Sequence, residues 1–204
     1  SGVETAGALG ELKNHVLPND YPDLDIRQMQ IILIEASPRL LVSMHTVSSE
    51  KALEYLDDLD VDVFLNSRVN SYDGKLVTTH NNKTFKAKTV IWTAGVIASD
   101  VGGLPAELME SNSKRIKTDE YNRVAGMQNI FAIGDTALFV TKEFPKGLPM
   151  LAPVAIQQGT HLAKNLKRIK HGKEMLPFQY TDKGTMATIG RNRAVVELGK
   201  LKFQ

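Results

Sequence analysis

The chain has 204 residues, 42% of them hydrophobic and 24% charged, so it can bury a core and is not disordered. It contains no cysteine, which excludes disulfides, thiolate metal sites and redox thiol pairs from this stretch. The net charge of +2 gives no field that would favour nucleic acid, and the spacing of the five histidines predicts no metal site. No apolar run approaches the roughly 20 residues that cross a bilayer, and no signal-peptide pattern is present.

The first part of the chain has the pattern of a parallel α/β sheet. Small and apolar residues at helical spacing predict a helix over residues 2–16. The apolar, β-branched run 31–34 predicts a strand that is buried on both faces. A helix over 48–59, with its first two serines as candidate caps, and a strand over 61–65 complete the pattern.

An antiparallel meander is predicted next. Short strand patterns at 69–72, 76–79 and 84–86 are separated by Asp-Gly and Asn-Asn, which are hairpin signals. The run 89–93 returns to the buried-strand pattern and ends at an Ala-Gly pair, where a strand presents its carboxyl end to a ligand. A change of subdomain is predicted after that pair.

The remainder of the chain begins with a loop-rich stretch, 96–123. A second buried strand is predicted over 129–133, and it ends in a Gly-Asp pair. A helix follows over 155–168, and two β-like runs close the chain at 186–189 and 194–198.

The first candidate site lies at the start of the chain. Gly2, directly before a helix rich in small residues, is typical of the last glycine of a Gly-x-Gly-x-x-Gly turn whose strand and earlier glycines would precede this chain. Such glycines let pyrophosphate approach the backbone at the helix amino terminus. Taken alone, a single glycine before a helix is better explained as an ordinary helix start.

Glu35 follows the strand pattern 31–34, where a carboxylate accepts hydrogen bonds from both adenosine ribose hydroxyls and repels a 2′-phosphate. The alternative is an exposed carboxylate at a strand end, and the residues alone leave both open. Gly134 and Asp135 end the second buried strand. Glycine there allows close approach of a cofactor, and the aspartate can accept a hydrogen bond from a polyhydroxyl chain such as ribitol; an ordinary turn is the alternative.

These motifs in this order resemble the flavin-dependent pyridine-nucleotide oxidoreductases. The resemblance is carried by Gly-Val-Glu at 2–4, Ile-Glu-Ala-Ser-Pro-Arg-Leu-Leu at 34–41, Val-Ile-Trp-Thr-Ala-Gly-Val at 90–96 and Ile-Phe-Ala-Ile-Gly-Asp at 130–135. Within that group, residues 149–158 and 180–190 are similar to type II NADH dehydrogenases rather than to disulfide reductases.

The resemblance implies an α/β fold that is part of a flavoprotein with two dinucleotide-binding domains. Residues 1–95 would be a Rossmann-like NADH-binding domain that lacks its first strand and carries the antiparallel meander. Residues 96–175 would be the carboxy-terminal segment of the FAD-binding domain, and 176–204 the start of a C-terminal β region. The expected cofactors are therefore FAD and NADH.

The resemblance also implies roles for particular residues. Asp135, with Gly134, would bind the FAD ribitol, and the backbone at Leu151 and Ala152 would lie near the isoalloxazine ring. Ala94 and Gly95 would line the site of the nicotinamide nucleotide.

The quinone motif of the resembled family is Ala-Gln-x-Ala-x-Gln, which reads Ala-Pro-Val-Ala-Ile-Gln at 152–157. Gln157 is thus carried over as a quinone-pocket residue, whereas Pro153 departs from the motif and fits a first helical turn. Glu4 matches a glutamate linked to proton supply during quinone reduction. Its alternative is a first-turn carboxylate stabilised by the helix dipole.

The implied parent protein passes a hydride from NADH to FAD and electrons on to a membrane quinone, at the cytoplasmic face of the cell membrane. Membrane contact would lie in parts outside this chain. We expect the chain by itself to be inactive, and its exposed sheet edge favours a homodimer. The alternatives are a nucleotide-binding or assembly module without turnover, and a flavin reductase with a non-quinone acceptor.

Overall fold

The computed structural model describes residues 1–99, 101–199 and 201–203, without the side chain of residue 202. The chain divides into two compact units. The first consists of Ser1–Ala94 together with the residues from Gly184 onward, and the second is Gly95–Lys183. The carboxy-terminal strands therefore pack with the first unit, and the domain assignment, including the start of a C-terminal β region at residue 176, stays a prediction.

The first unit contains the parallel sheet expected from the sequence. Helix α1 (Gly2–Glu11) continues through a π-helical turn, Leu12–Val16, and a short helix α2, Leu17–Asp20. Strands β1 (Ile31–Ile34) and β2 (Val61–Phe64) pair in parallel. They are joined by helix α3, Thr46–Asp57.

The core of this unit lies between the sheet and helices α1 and α3. Because small and apolar residues recur at helical spacing, each helix buries one face against the strands. The buried side chains are Val3, Ala6, Ile31, Leu40, Met44, Ala52, Leu56, Leu59, Val61, Ala187, Ile189 and Val195.

The predicted antiparallel meander is confirmed over the same residues. Strands β3 (Val69–Tyr72), β4 (Leu76–Thr79) and β5 (Thr84–Lys86) form one sheet in that order. Asp73 accepts hydrogen bonds from the Lys75 and Leu76 amides, so the first hairpin turn is closed by its own side chain.

A third sheet in the first unit is formed by the end of the chain. Strands β8 (Thr185–Thr188) and β9 (Ala194–Leu198) and strand β10 (Leu201–Phe203) follow one another in antiparallel order. Strand β8 packs against α1 and strand β9 against α3.

The second unit is built around helix α4, Ala152–Lys170. Strands β6 (Ile116–Lys117) and β7 (Ala137–Leu138) form a short parallel pair. Two small cores support these elements: Ile116, Val124, Ala132 and Ala137 in one, and Phe139, Leu148, Val154 and Phe178 in the other. None of the helices in the described part of the chain is long and apolar enough to cross a membrane.

The strand predicted over 89–93 is wrong. These residues are assigned to no strand, and the side chains of Val90, Ile91 and Trp92 are 40%, 54% and 67% exposed. An apolar run becomes a strand only where a neighbouring strand offers backbone partners, and the described part of the sheet offers none to this run.

The strand predicted over 129–133 is also wrong as a regular element. Phe131 makes an isolated bridge with Arg123, and the Ala132 amide donates to the Asn122 carbonyl. The segment is thus extended and held by the preceding turn. Apolar composition predicted an extended backbone, but it did not predict that the hydrogen-bond partner would be a turn and not a regular strand.

The capping role predicted for Ser48 and Ser49 is wrong as well. Helix α3 begins at Thr46, two residues earlier than predicted, and both serines lie buried inside it. Ser49 Oγ donates to the Leu40 carbonyl at 2.6 Å.

Candidate functional site

The amino end of α1 brings together three segments of the first unit. A Cβ placed on Gly2 would lie 2.9 Å from Thr93 Oγ1 and 3.7 Å from Leu33 Cδ1. A larger residue at position 2 would therefore push against the residue that precedes Ala94. The close packing against Thr93 favours a glycine at this helix start, and so would a phosphate bound to the backbone there.

Glu4 lies in the first turn of α1, and its side chain is 44% exposed. A carboxylate in this position is stabilised by the positive end of the helix dipole. It is also accessible to solvent, as a group that exchanges protons must be.

Glu35 follows β1 and is fixed to the neighbouring strand by its backbone. Its amide donates to the Phe64 carbonyl at 2.9 Å, and its carbonyl accepts from the Ser67 amide at 2.9 Å. The carboxylate oxygen Oε1 accepts a 2.7 Å hydrogen bond from the Ser37 amide. Among the residues that the structure describes, none donates to Oε2, so this oxygen is available to a ligand hydroxyl.

Ala94 and Gly95 are exposed, and the boundary between the two units along the chain falls between them. Gly95 has a φ of +76°, and a Cβ there would meet no protein atom within 4 Å. The glycine is therefore required by its backbone conformation and not by crowding from the described residues.

A second cluster lies in the second unit, where Gly134 and Asp135 begin the 3₁₀ turn Gly134–Thr136. Gly134 has a φ of +68°, and a Cβ there would lie 3.3 Å from the Cβ of Ala155 in α4. The Gly134 amide donates to Gln158 Oε1 at 2.7 Å. The Asp135 carboxylate is exposed and accepts no hydrogen bond from the described residues.

Gln158 is a site residue that sequence reasoning missed. Its side chain is 1% exposed, and it fixes the turn that presents Asp135. The sequence gives no local sign of this role, because the partner of the buried Gln158 amide lies 24 residues away. Neighbouring residues in the helix do not distinguish Gln158 from Gln157.

Arg115 is a second residue that was missed. Its Nη2 donates to the carbonyl of Ala137 and, at 2.8 Å, to that of Leu148. Burial lowers the pKa of Arg115, while the negative charges of Asp135 and Glu110 oppose that change. Arg115 thus ties the segment after Asp135 to the loop before α4 and places a cation near Asp135.

The amino end of α4 is exposed at Leu151 and Ala152, and no side chain caps it. The 3₁₀ turn that carries Asp135 packs on this helix. The positive end of the helix dipole is therefore available to an electron-rich group of a ligand.

Gln157 is turned toward the segment that follows α4. Its Nε2 donates to the Thr181 carbonyl at 3.0 Å, and its Oε1 accepts from the Thr181 amide at 3.0 Å. Both ends of the amide are thus bound to one residue. The predicted role as a quinone contact stays a prediction, and it would require this amide to leave Thr181.

Residues 1–159 match the family described as pyridine nucleotide-disulphide oxidoreductase. The chain belongs to this family. The match extends from the glycine at the start of α1 to the first half of α4, so both clusters lie within it.

Curated relatives align with nearly the whole chain. The type II NADH:quinone oxidoreductase Ndh of Mycobacterium tuberculosis is 31% identical over 218 residues, covering 100% of this chain and 45% of the relative. The type II NADH:quinone oxidoreductase of Staphylococcus aureus is 32% identical over 201 residues, covering 96% and 48%. The chain therefore spans about half the length of the curated relatives that it matches.

Solved structures confirm the α/β fold class predicted from the sequence. NDH2 from Plasmodium falciparum in complex with NADH has a TM-score of 0.83 at 18% identity and covers 98% of this chain and 56% of its own. The sulfide:quinone oxidoreductase of Aquifex aeolicus has a TM-score of 0.68 at 16% identity and covers 97% and 50%. At these identities the likeness shows the fold alone.

Proposed function

We propose that this chain is the NADH-binding domain and part of the FAD-binding domain of a type II NADH:quinone oxidoreductase. The observation that carries the proposal is Glu35, which presents, at the carboxyl end of a parallel strand, a carboxylate oxygen that the described residues leave unbound. That is where a dinucleotide-binding fold accepts the ribose hydroxyls of NADH. The names of the aligned relatives support NADH as the donor and a quinone as the acceptor.

The residues of the first unit fit a nicotinamide dinucleotide. Gly2 leaves the amino end of α1 without a side chain, and Glu35 offers an oxygen that the described residues do not use. Ala94 ends this unit along the chain and Gly95 begins the next, and we assign both to the nicotinamide end because they follow Thr93, which lies beside Gly2. A 2′-phosphate would be repelled by Glu35, so NADH is the expected donor.

The residues of the second unit fit a flavin. Asp135 offers the ribitol hydroxyls an exposed carboxylate to which no described residue donates, and Gly134 gives the backbone room beside it. We assign the backbone at Leu151 and Ala152, with the helix dipole behind it, to the isoalloxazine ring. When bound, nicotinamide and flavin supply the hydride and electron transfer, while the protein orients them.

The proton side of the proposal rests on Glu4. Reduction of a quinone needs two protons, and a solvent-accessible carboxylate at the start of α1 can hold and pass one at its side-chain oxygens. Gln157 would contribute to the quinone side, and the parent protein would work at the cytoplasmic face of the cell membrane.

The test is a kinetic comparison on the full-length protein that contains this chain. NADH and NADPH oxidation are measured with menaquinone and ubiquinone analogues as acceptors, for the wild type and for Glu35→Ala. We expect NADPH to be the poorer donor and the substitution to narrow the preference by about tenfold or more. Glu50→Ala, at an exposed position of α3, is the matched control. Equal use of both nucleotides by the wild type, or no turnover with either quinone, would sink the proposal.

A further inference from the structure

Arg39 lies four residues after Glu35, and its guanidinium is bound on both terminal nitrogens by the chain that follows. Nη1 donates to the Met44 carbonyl at 2.6 Å and to Ser49 Oγ at 2.7 Å. Nη2 donates to the Val42 carbonyl at 2.6 Å. A longer contact joins Nη1 to the Leu41 carbonyl at 3.4 Å.

The three carbonyl acceptors belong to one tight turn between β1 and α3, and Ser49 lies in the first half of α3. Leu41 has a φ of +48°, a backbone conformation that a leucine adopts only when its surroundings enforce it. The Met44 amide donates to the Leu41 carbonyl at 2.8 Å, and the Met44 side chain is buried in the core. The Val42 and Met44 carbonyls lie outside any strand, and the Arg39 guanidinium supplies a donor to each of them.

The same turn borders open space on its outer side. Arg39 and residues 42–46 line a pocket of about 330 Å³. The turn begins six residues after Glu35, in the connection that leaves the carboxyl end of β1, the edge where a dinucleotide-binding fold receives the adenosine end of its ligand.

In such folds, an arginine near the ribose carboxylate is the group that accepts the 2′-phosphate of NADPH. Between residues 35 and 49, the charged or titratable side chains are Glu35, Arg39 and His45. Arg39 is therefore the one guanidinium in this stretch, and it is already bound to protein acceptors. A 2′-phosphate could recruit it only by breaking the turn.

We propose that Arg39 is a positioning residue for the nucleotide, a role that rests on the proposed function. It holds the 41–44 turn of the connection that follows Glu35, and its bonds to that turn keep its guanidinium from the 2′ position. Loss of the Arg39 side chain therefore weakens the binding of NADH and of NADPH to the same extent. A phosphate-binding arginine would instead affect NADPH alone.

The experiment measures binding to the full-length protein by isothermal titration calorimetry. The probes are NADH and NADPH, with AMP and 2′,5′-ADP as half-nucleotides that differ at the 2′ position. Arg39→Met removes every donor, Arg39→Lys restores some of them, and Arg191→Met removes an exposed arginine of the same unit as the control. Steady-state kcat and KM for NADH accompany the binding data.

For Arg39→Met we expect about tenfold weaker binding of both dinucleotides, since lost charge-assisted hydrogen bonds free the turn. The 2′,5′-ADP to AMP preference and kcat should stay within about twofold, KM for NADH should rise, and lysine should recover part of the loss. A selective loss of NADPH and 2′,5′-ADP binding, or unchanged binding of both, overturns the proposal. If Arg39→Met does not fold, Ser49→Ala removes a single acceptor and should give a smaller loss of the same, unselective kind. A wild type that binds neither dinucleotide instead refutes the proposed function.

Discussion

Gly7 of α1 and Gly190, two residues after β8, meet backbone to backbone. A Cβ on Gly7 would lie 2.7 Å from the Gly190 amide nitrogen, closer than any real contact of that kind. Gly7→Ala gains about 1 kcal/mol in helix propensity but forces the carboxy-terminal sheet away from α1. Since overpacking costs about 1–3 kcal/mol, and rigid backbone lies at the upper end, we expect a net loss of about 2 kcal/mol. Urea unfolding followed by circular dichroism measures it.

Gly159 in α4 is the matched control for Gly7. A Cβ there would meet Ile133 Cδ1 at 3.7 Å, which is ordinary van der Waals contact. Gly159→Ala should therefore raise the free energy of unfolding by up to about 1 kcal/mol. If both substitutions changed the free energy of unfolding in the same direction, the close approach of α1 to Gly190 would not be the reason for a glycine at position 7.

Glu197 of β9 supplies a cap for a helix that begins about 150 residues earlier in the chain. Its Oε1 accepts from the His45 amide at 2.8 Å and from Ser48 Oγ at 2.5 Å, while His45 makes no capping bond with its own side chain. Glu197→Ala should lower the free energy of unfolding by about 1–2 kcal/mol, and Glu197→Gln by less because one acceptor oxygen remains. A double-mutant cycle with Ser48→Ala measures the coupling, and strictly additive losses would contradict it.

Most of the fold that was predicted correctly was predicted from local sequence patterns. The meander over 69–86 was predicted residue by residue because hairpin turns are encoded by their own residues, as Asp73 shows. The parallel pair β1–β2 was predicted because apolar β-branched runs have few alternatives to a buried strand. The runs 89–93 and 129–133 have the same composition but lack a regular neighbouring strand, and composition does not encode the presence of a neighbour.

The candidate site shows the same division. Glu35 and Asp135 were predicted because each follows an apolar run, and none of the described residues donates to Oε2 of Glu35 or to the Asp135 carboxylate. Gln158 and Arg115 were missed, since their partners lie 24 and 22 or more residues away. Long-range hydrogen bonds of buried polar groups leave no periodic signal in the sequence.

Glu110 should titrate far below the usual range. Its Oε2 accepts from the Ser113 amide at 2.6 Å. This backbone hydrogen bond, together with a side-chain hydrogen bond from Ser113, lowers the pKa of Glu110 from 4.5 to about 2. Because the folded-state pKa is depressed, the stabilisation is complete above pH 4.5 and is lost as the pH falls toward 2. A ¹³C NMR titration of the side-chain carboxyl measures the pKa.

Two variants separate the causes of that pKa. Ser113→Ala keeps the backbone donor but removes the hydroxyl, so the pKa of Glu110 should rise only part of the way to its usual value. Glu110→Gln should remove the matching part of the pH dependence of unfolding between pH 4.5 and 2. A wild-type Glu110 that titrates near 4.5 would show that the turn does not hold the carboxylate.

Gln157 and Asn165, two helical turns apart on α4, each bind both the amide and the carbonyl of one residue in the segment that follows. Gln157 pairs with Thr181 at 3.0 Å in both directions. Asn165 pairs with Leu176 at 2.8 and 2.9 Å and is 1% exposed. Two side-chain amides thus hold the extended segment 176–181 in the way that a neighbouring strand would.

Gln157→Leu removes both bonds at Thr181, whereas Gln157→Glu keeps an acceptor for the Thr181 amide but turns a carboxylate oxygen toward its carbonyl. With about 1 kcal/mol for each bond, hydrogen exchange of the Thr181 amide should accelerate by about tenfold or more in both variants. The Leu176 amide should exchange as in the wild type, because Asn165 still holds it, and Asn165→Leu should reverse the pattern. Unchanged exchange at Thr181 would mean that Gln157 does not hold this segment and is free for another partner.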